Sequence, residues 1–132
     1  MEPNLDKRSG CDRCWPESAD ADWDARSGLQ RRCELIHESH FHVTILACAS
    51  CGQAYISVFS ELTDWGGDDS RGWTLLPLTA AEEQTLAAAA PGFEERSLYE
   101  IGADRRSLYH MHPRGRDAES FWGRGIPMLP HD

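Results

Sequence analysis

His42–Val58, HVTILACASCGQAYISV, is the stretch whose reading decides the fold. Phe41, Val43 and Ile45 fall on one side of an extended chain, while His40, His42 and Thr44 fall on the other. After the cysteines, Ile56 and Val58 share one side, and Tyr55, Ser57 and Phe59 share the opposite one. A period of two, rich in β-branched and aromatic residues, predicts strands over 41–48 and 54–62. Cys48-Ala49-Ser50-Cys51-Gly52 is then the tight turn between them, so the segment is a β-hairpin with two thiols at its tip.

A second pair with the same spacing, Cys11-Asp12-Arg13-Cys14, lies 33 residues upstream of Cys48. Thiolates at i and i+3 of a tight turn can occupy two corners of a tetrahedron, and a second such turn completes it. Backbone amides in these turns donate to the sulfurs and spread their negative charge. Paired CxxC spacings therefore predict one Zn²⁺ bound by Cys11, Cys14, Cys48 and Cys51. Four protein ligands leave no open position for a reacting water, so the predicted ion is structural. A redox CxxC needs an accessible thiol of low pKa, usually at a helix start, and neither pair opens a convincing helix. The fifth cysteine, Cys33, reads as a small buried hydrophobe.

One knuckle on an N-terminal loop and another at a hairpin tip resembles a zinc ribbon over about residues 11–62. The resemblance implies an α+β fold: a zinc-ribbon β-hairpin extended into a small antiparallel sheet with one or two packed helices. The 33 residues between the pairs exceed the ~15–20 usual for this pattern. An inserted Leu29–Glu38 element accounts for the excess.

At 132 residues, with 40% hydrophobic and 27% charged residues, the chain reads as a single globular domain over 1–132. The zinc-ribbon portion takes residues 11–62, and a helix with further strands takes 73–132. No apolar run approaches the ~20 residues that span a bilayer. MEPNLDKRSG lacks a signal-peptide apolar region, so a cytoplasmic protein without membrane contact is expected.

Residues 1–28 read as mostly loop, ordered mainly where Cys11 and Cys14 are fixed. Leu29–Glu38 fits either a short helix, through Leu29, Cys33 and Ile36, or a strand, with helix formers tipping it toward helix. WTLLPL, residues 73–78, reads as a short strand placed at an edge by Pro77. Thr79-Ala80-Ala81-Glu82 is a capping box opening a helix that runs to Ala90 and stops at Pro91-Gly92. Ser97–Ile101 and Ser107–Met111 read as two more strands. The tail reads as irregular, folded back to bury Phe121, Trp122, Ile126, Met128 and Leu129.

Net charge is −9, and residues 1–100 carry 8 basic against 18 acidic residues. Such a body repels nucleic acid and anionic lipid and attracts a basic partner. The turn after the second strand concentrates acid and aromatic residues: Glu61, Asp64, Trp65, Asp68, Asp69 and Trp73. These are the expected partner-binding residues, because aromatic side chains anchor interfaces. The expected function is thus a zinc-stabilised protein–protein interaction module, for example an acidic inhibitor or immunity-type protein. Two other readings stand beside it. One is a nucleic-acid-associated regulator using Arg105, Arg106, Arg114, Arg116 and Arg124, interleaved with Tyr109, Phe121 and Trp122. The other is an enzyme, either a thiol oxidoreductase or a hydrolase using His40, His42, Asp68 and Asp69. His37, His40 and His42 offer a second metal site or a substitute ligand, and His110 and His112 a similar pair.

Overall fold

A computed structural model describes residues 10–63, 69–90 and 92–132 of the chain. The hairpin forms where the alternation places it, with β2 (Phe41–Cys48) antiparallel to β3 (Ala54–Leu62). Val43 faces Val58, and Ile45 faces Ile56. Around it, β1 (Leu29–Glu38), β4 (Ser70–Pro77), β5 (Arg106–His112) and β6 (Glu119–Arg124) complete a six-stranded antiparallel sheet in simple sequence order. With three short helical stretches and one longer helix the arrangement is α+β.

β1 is a strand, not the helix favoured from its residue types. Two register shifts, between Arg31 and Cys33 and between Glu34 and Ile36, move Cys33 opposite Ile45 and Ile36 opposite Val43. Each bulge adds a residue and flips the side-chain parity. Cys33, Leu35 and Ile36 consequently all reach the aliphatic core while Leu29 packs on the other side, so no period of two survives along the strand.

The expectation for β4 is corrected in a different way. It lies in the interior, between β3 and β5. Pro77 is tolerated because the pairing with β5 stops at Leu75, while Pro77 itself lies opposite Tyr55 of β3. Its missing N–H therefore has no strand to meet on the open side. The carbonyl of Pro77 accepts from Arg105 Nη1 at 2.7 Å.

Two further expectations are overturned. Residues 97–100 belong to a 3-10 helix, Glu95–Glu100, capped by Ile101, which drives Leu98 into the core as a plug. Part of the supposedly irregular tail is β6, where Leu108 faces Trp122 and Tyr109 faces Phe121. Adjacent aromatics there serve opposite faces, which apolar content alone does not reveal. Beyond β6 the chain does fold back, with the His131 ring stacked 4.2 Å from Phe41 and the Asp132 amide donating to the Glu61 carbonyl at 3.1 Å, but it buries Ile126 while Phe121 and Met128 stay exposed.

The first 28 residues are not all loop. Helix α1 (Ala19–Ala25) starts at Ser18, whose hydroxyl accepts from the Ala21 amide at 2.9 Å. Asp20 and Asp22 occupy its first turn, where acids favour the helix dipole. Helix α2 (Ala80–Ala89) carries the full capping box: Glu82 N–H donates to Thr79 Oγ1, and Thr79 N–H donates to Glu82 Oε1. No described helix is long and apolar enough to cross a membrane.

The sheet has two differently built sides. On the first, Phe41, Val43, Ile45, Ile56, Val58 and Leu76 pack with Leu86 of α2, Leu98 and Ile126 in an aliphatic core. On the second, Tyr55, Leu75 and Leu108 pack with Cys14, Trp15 and Cys48. Only part of that second side is covered, by the loop bearing Cys11 and Cys14 and by α1.

Candidate metal centre

The four cysteines of the two CxxC turns converge, all sulfurs lying within 4.8 Å of one another. The Cys48 turn is closed by the Gly52 amide donating to the Cys48 carbonyl at 2.8 Å, with Gly52 at φ +79°. That left-handed conformation suits glycine and lets the chain reverse straight into β3. The Cys11 turn is closed by amides of Cys14 and Trp15, both donating to the Cys11 carbonyl, at 3.2 and 2.8 Å.

What presses the two turns together is aromatic packing. Trp15 is buried, 5.4 Å from the Tyr55 ring and 4.9 Å from Trp122. Trp122 Nε1 donates to the Glu17 carbonyl at 3.1 Å, and Arg13 Nη1 donates to Ser50 Oγ at 3.3 Å. Gly10, at φ +66°, slides directly over the cluster. A Cβ there would lie 2.5 Å from both Cys14 Sγ and Tyr55 Oη.

The sulfur spacing tests whether an ion fits. Metal–sulfur bonds of ~2.3 Å in a tetrahedron place sulfurs about 3.8 Å apart. The observed separations are 3.9 Å for Cys11–Cys14, 3.8 Å for Cys11–Cys48 and 3.7 Å for Cys14–Cys51. A disulfide needs sulfurs ~2.05 Å apart, and all five cysteines are free thiols. The cluster can hold a metal ion.

Donors around the sulfurs are arranged for negative charge. Tyr55 Oη donates to Cys14 Sγ at 3.0 Å, the Cys11 amide to Cys14 Sγ at 3.3 Å, and the Ser50 amide to Cys48 Sγ at 3.4 Å. Burial pushes the Cys48 thiol up, but amides of Cys51 and Ser50 outweigh it and bring the group to about 7. Hydrogen bonds from the Cys14 and Arg13 backbone lower Cys11. Burial raises Cys14 to about 12 and also raises Cys51. Such a split set becomes four thiolates only with a cation at its centre, since a coordinating metal deprotonates its thiols.

Cys33 lies on β1, half-buried against the aliphatic core. Among the described residues the four thiols are the only group of three or more convergent ligands. The histidines are spent elsewhere. His37 and His42 meet edge to face at 4.8 Å, and His40 Nδ1 sits 3.0 Å from Glu61 Oε1. His110 Nδ1 meets Ser120 Oγ at 2.7 Å, and His112 Nδ1 lies 3.4 Å from Arg71 Nη2.

The acid-rich turn fares unevenly. Asp64, Trp65 and Asp68 lie outside the described residues. Glu61 is engaged by His40 and, at 3.9 Å, by Arg71 Nε. Trp73 turns into an aromatic row on the second side of the sheet, 4.8 Å from Phe59 and 5.2 Å from Trp23. Asp69 is half-buried at the entry to β4. Of the arginines, Arg105 is paired with Glu82 at 2.8 Å, Arg124 donates to the Asp104 carbonyl, and Arg106 lies over the Trp122 ring.

Strand pairing also assembled a site that residue types did not announce. His37, His42, Phe59, Trp73 and His110 fall in one register row across five strands. The alternation of β2 and β3 carried half of that signal, since it placed His42 and Phe59 opposite the aliphatic face. No family model, curated protein or solved structure matches the chain.

Proposed function

We propose that the protein is a zinc-stabilised interaction module, in which a single structural Zn²⁺ clasps the N-terminal loop to the hairpin. The supporting observation is a cluster of four sulfurs no more than 4.8 Å apart, in which three edges of 3.7–3.9 Å match the ~3.8 Å edge of a tetrahedral thiolate site. The clasp follows the zinc-ribbon pattern of two CxxC knuckles, here built onto a six-stranded sheet. Four thiolates fill the coordination shell, so the ion holds structure and performs no chemistry. Zn²⁺ fits best because soft thiolates in tetrahedral array favour it and its binding couples to folding. The working surfaces are those the clasp leaves open, and the acidic body, at −9 overall, favours a basic protein partner in the cytoplasm.

Purified protein should carry one equivalent of zinc. Single replacements Cys11→Ser, Cys14→Ser, Cys48→Ser and Cys51→Ser should each lose the metal, whereas Cys33→Ser should keep it. Full metal retention in two or more of the four variants would remove the clasp. For the partner, Asp68→Lys combined with Asp69→Lys should abolish recovery of a protein partner in pull-downs. Recovery of nucleic acid in place of protein overturns that part.

A further inference from the structure

The second side of the sheet carries a groove unrelated to the thiols. A cavity of about 130 Å³ lies between α1 and the sheet, lined among others by Trp23, Arg26, Ser57, Trp73 and Leu75. It shares Ser57 and Trp73 with a shallower trough of about 360 Å³, floored also by His42, Thr44 and Phe59. Together they have the size of a small-ligand site, with apolar and aromatic walls and a few polar groups.

The walls are suited to a flat ring. The Trp73 and Phe59 rings stand 4.8 Å apart, and His42 meets Phe59 edge to face at 5.6 Å. Trp23 closes the other flank, stacked on His110 at 3.6 Å with the ring planes parallel. Burial and the nearby Arg26 charge lower His110, keeping it an uncharged stacking partner at neutral pH.

Polar groups in the groove are few and free. Thr44 and Ser57 make no side-chain hydrogen bond among the described residues, and both hydroxyls can donate or accept. Arg26 is, among the described residues, the one Arg, Lys, Asp or Glu lining either cavity. Among the described residues it forms no ion pair, and its guanidinium lies 3.7 Å over the Trp23 ring. A stacked guanidinium keeps its N–H edge available for an oxyanion, and it is charged at every physiological pH.

Asp24 lies near Arg26 without forming an ion pair with it, and among the described residues no carboxylate lines the groove, so the guanidinium calls for one anionic group on a flat ligand. Long nucleic acid is disfavoured, because the −9 chain repels a polyanion. The free hydroxyls favour a ring with polar edges over a hydrocarbon one. We infer that this groove binds a mononucleotide, its base stacked on Phe59 with the Trp73 ring, tilted 45° to it, against the base's edge, its polar groups met by Thr44 and Ser57, and its phosphate held by Arg26. The inference adds a ligand to the proposed module and rests on the clasp only for the position of α1.

Calorimetric titration of the metal-loaded protein with nucleoside 5′-monophosphates tests it. Saturable one-site binding is expected for at least one of AMP, GMP, CMP and UMP. The corresponding nucleoside should bind at least tenfold more weakly, and inorganic phosphate should not bind. Arg26→Gln and Phe59→Leu should each weaken binding at least tenfold, with metal content and near-ultraviolet dichroism unchanged. Failure of all four nucleotides to bind at millimolar concentration overturns the inference, as does affinity unchanged in Arg26→Gln. Binding confined to indole-3-acetate, or to oligonucleotides, also overturns it. Metal content, measured on the same samples, reports separately on the clasp.

Discussion

The two sides of the sheet are stabilised by different physics. The first is a dry aliphatic layer in which Val43, Ile45, Ile56 and Leu76 have essentially no exposure, capped by α2 and the Glu95–Glu100 turn. The second has far fewer aliphatic groups, and its cover is an N-terminal segment held by tryptophan packing and four thiols. Burial of hydrocarbon makes the first side self-sufficient. The second side carries four convergent thiols that can hold a metal ion, which is the usual remedy where a local core is thin. The division also separates scaffold from surface. The side that bears the thiols is the one with open aromatic rings.

Metal removal should break that symmetry most visibly. Chelation is expected to release residues 10–28, with amide protection lost there and in the Cys48 turn, while β2 and β3 retain theirs. Structural zinc contributes roughly 10–16 kcal/mol of apparent binding energy in small peptides, so the effect should exceed any single core truncation. Hydrogen exchange by mass spectrometry checks it. Uniform loss of protection over both sides would show that the aliphatic layer does not stand alone.

Leu98→Ala attacks the opposite side. The side chain is fully buried in the aliphatic layer, and its truncation should cost about 2–5 kcal/mol in urea unfolding. Metal stoichiometry should remain unchanged. Loss of the metal in this variant would mean that the two sides fold as one unit.

Asp22 gives the smallest and most local effect. It is fully buried on the inner side of α1, and neither carboxylate oxygen has a hydrogen-bond partner among the described residues. Burial holds the acid up at about 7, well above an ordinary carboxyl. Folding therefore favours the protonated form. That stabilisation is complete below about pH 4 and is lost as pH rises to about 7, beyond which stability is flat. Between pH 5.5 and 7.5 the protein should lose about 1–3 kcal/mol, the scale of an unsatisfied buried polar group. Asp22→Asn should flatten this slope. A slope identical to that of the parent protein would place the titrating group elsewhere.

These contrasts follow what could be read without a structure. Alternation along Phe41–Val58 announced the hairpin because both strands have one wholly apolar side. The Thr79–Glu82 box announced α2 because its capping bonds are local. β1 escaped because its bulges are set by pairing with β2, and they erase the period of two that marks a strand. Helix α1 had a readable start in Ser18 with Asp20 and Asp22. Its seven residues, however, give too short a periodicity to stand out in a turn-rich segment.

Local chemistry in the sequence thus determined the thiol set: i, i+3 spacing fixes which sulfurs can share one ion, whatever the chain does between them. Tertiary structure alone decided how Cys11 and Cys14 reach Cys48 and Cys51, through Trp15 seated between Tyr55 and Trp122. It alone gathered His42, Phe59, Trp73 and Trp23 beside Arg26. Those residues come from α1 and three strands, with the 3-10 turn at Arg26, and only strand register and helix docking bring them together. Knuckles are encoded by neighbours along the chain, whereas a groove across a sheet is encoded by pairings between distant segments.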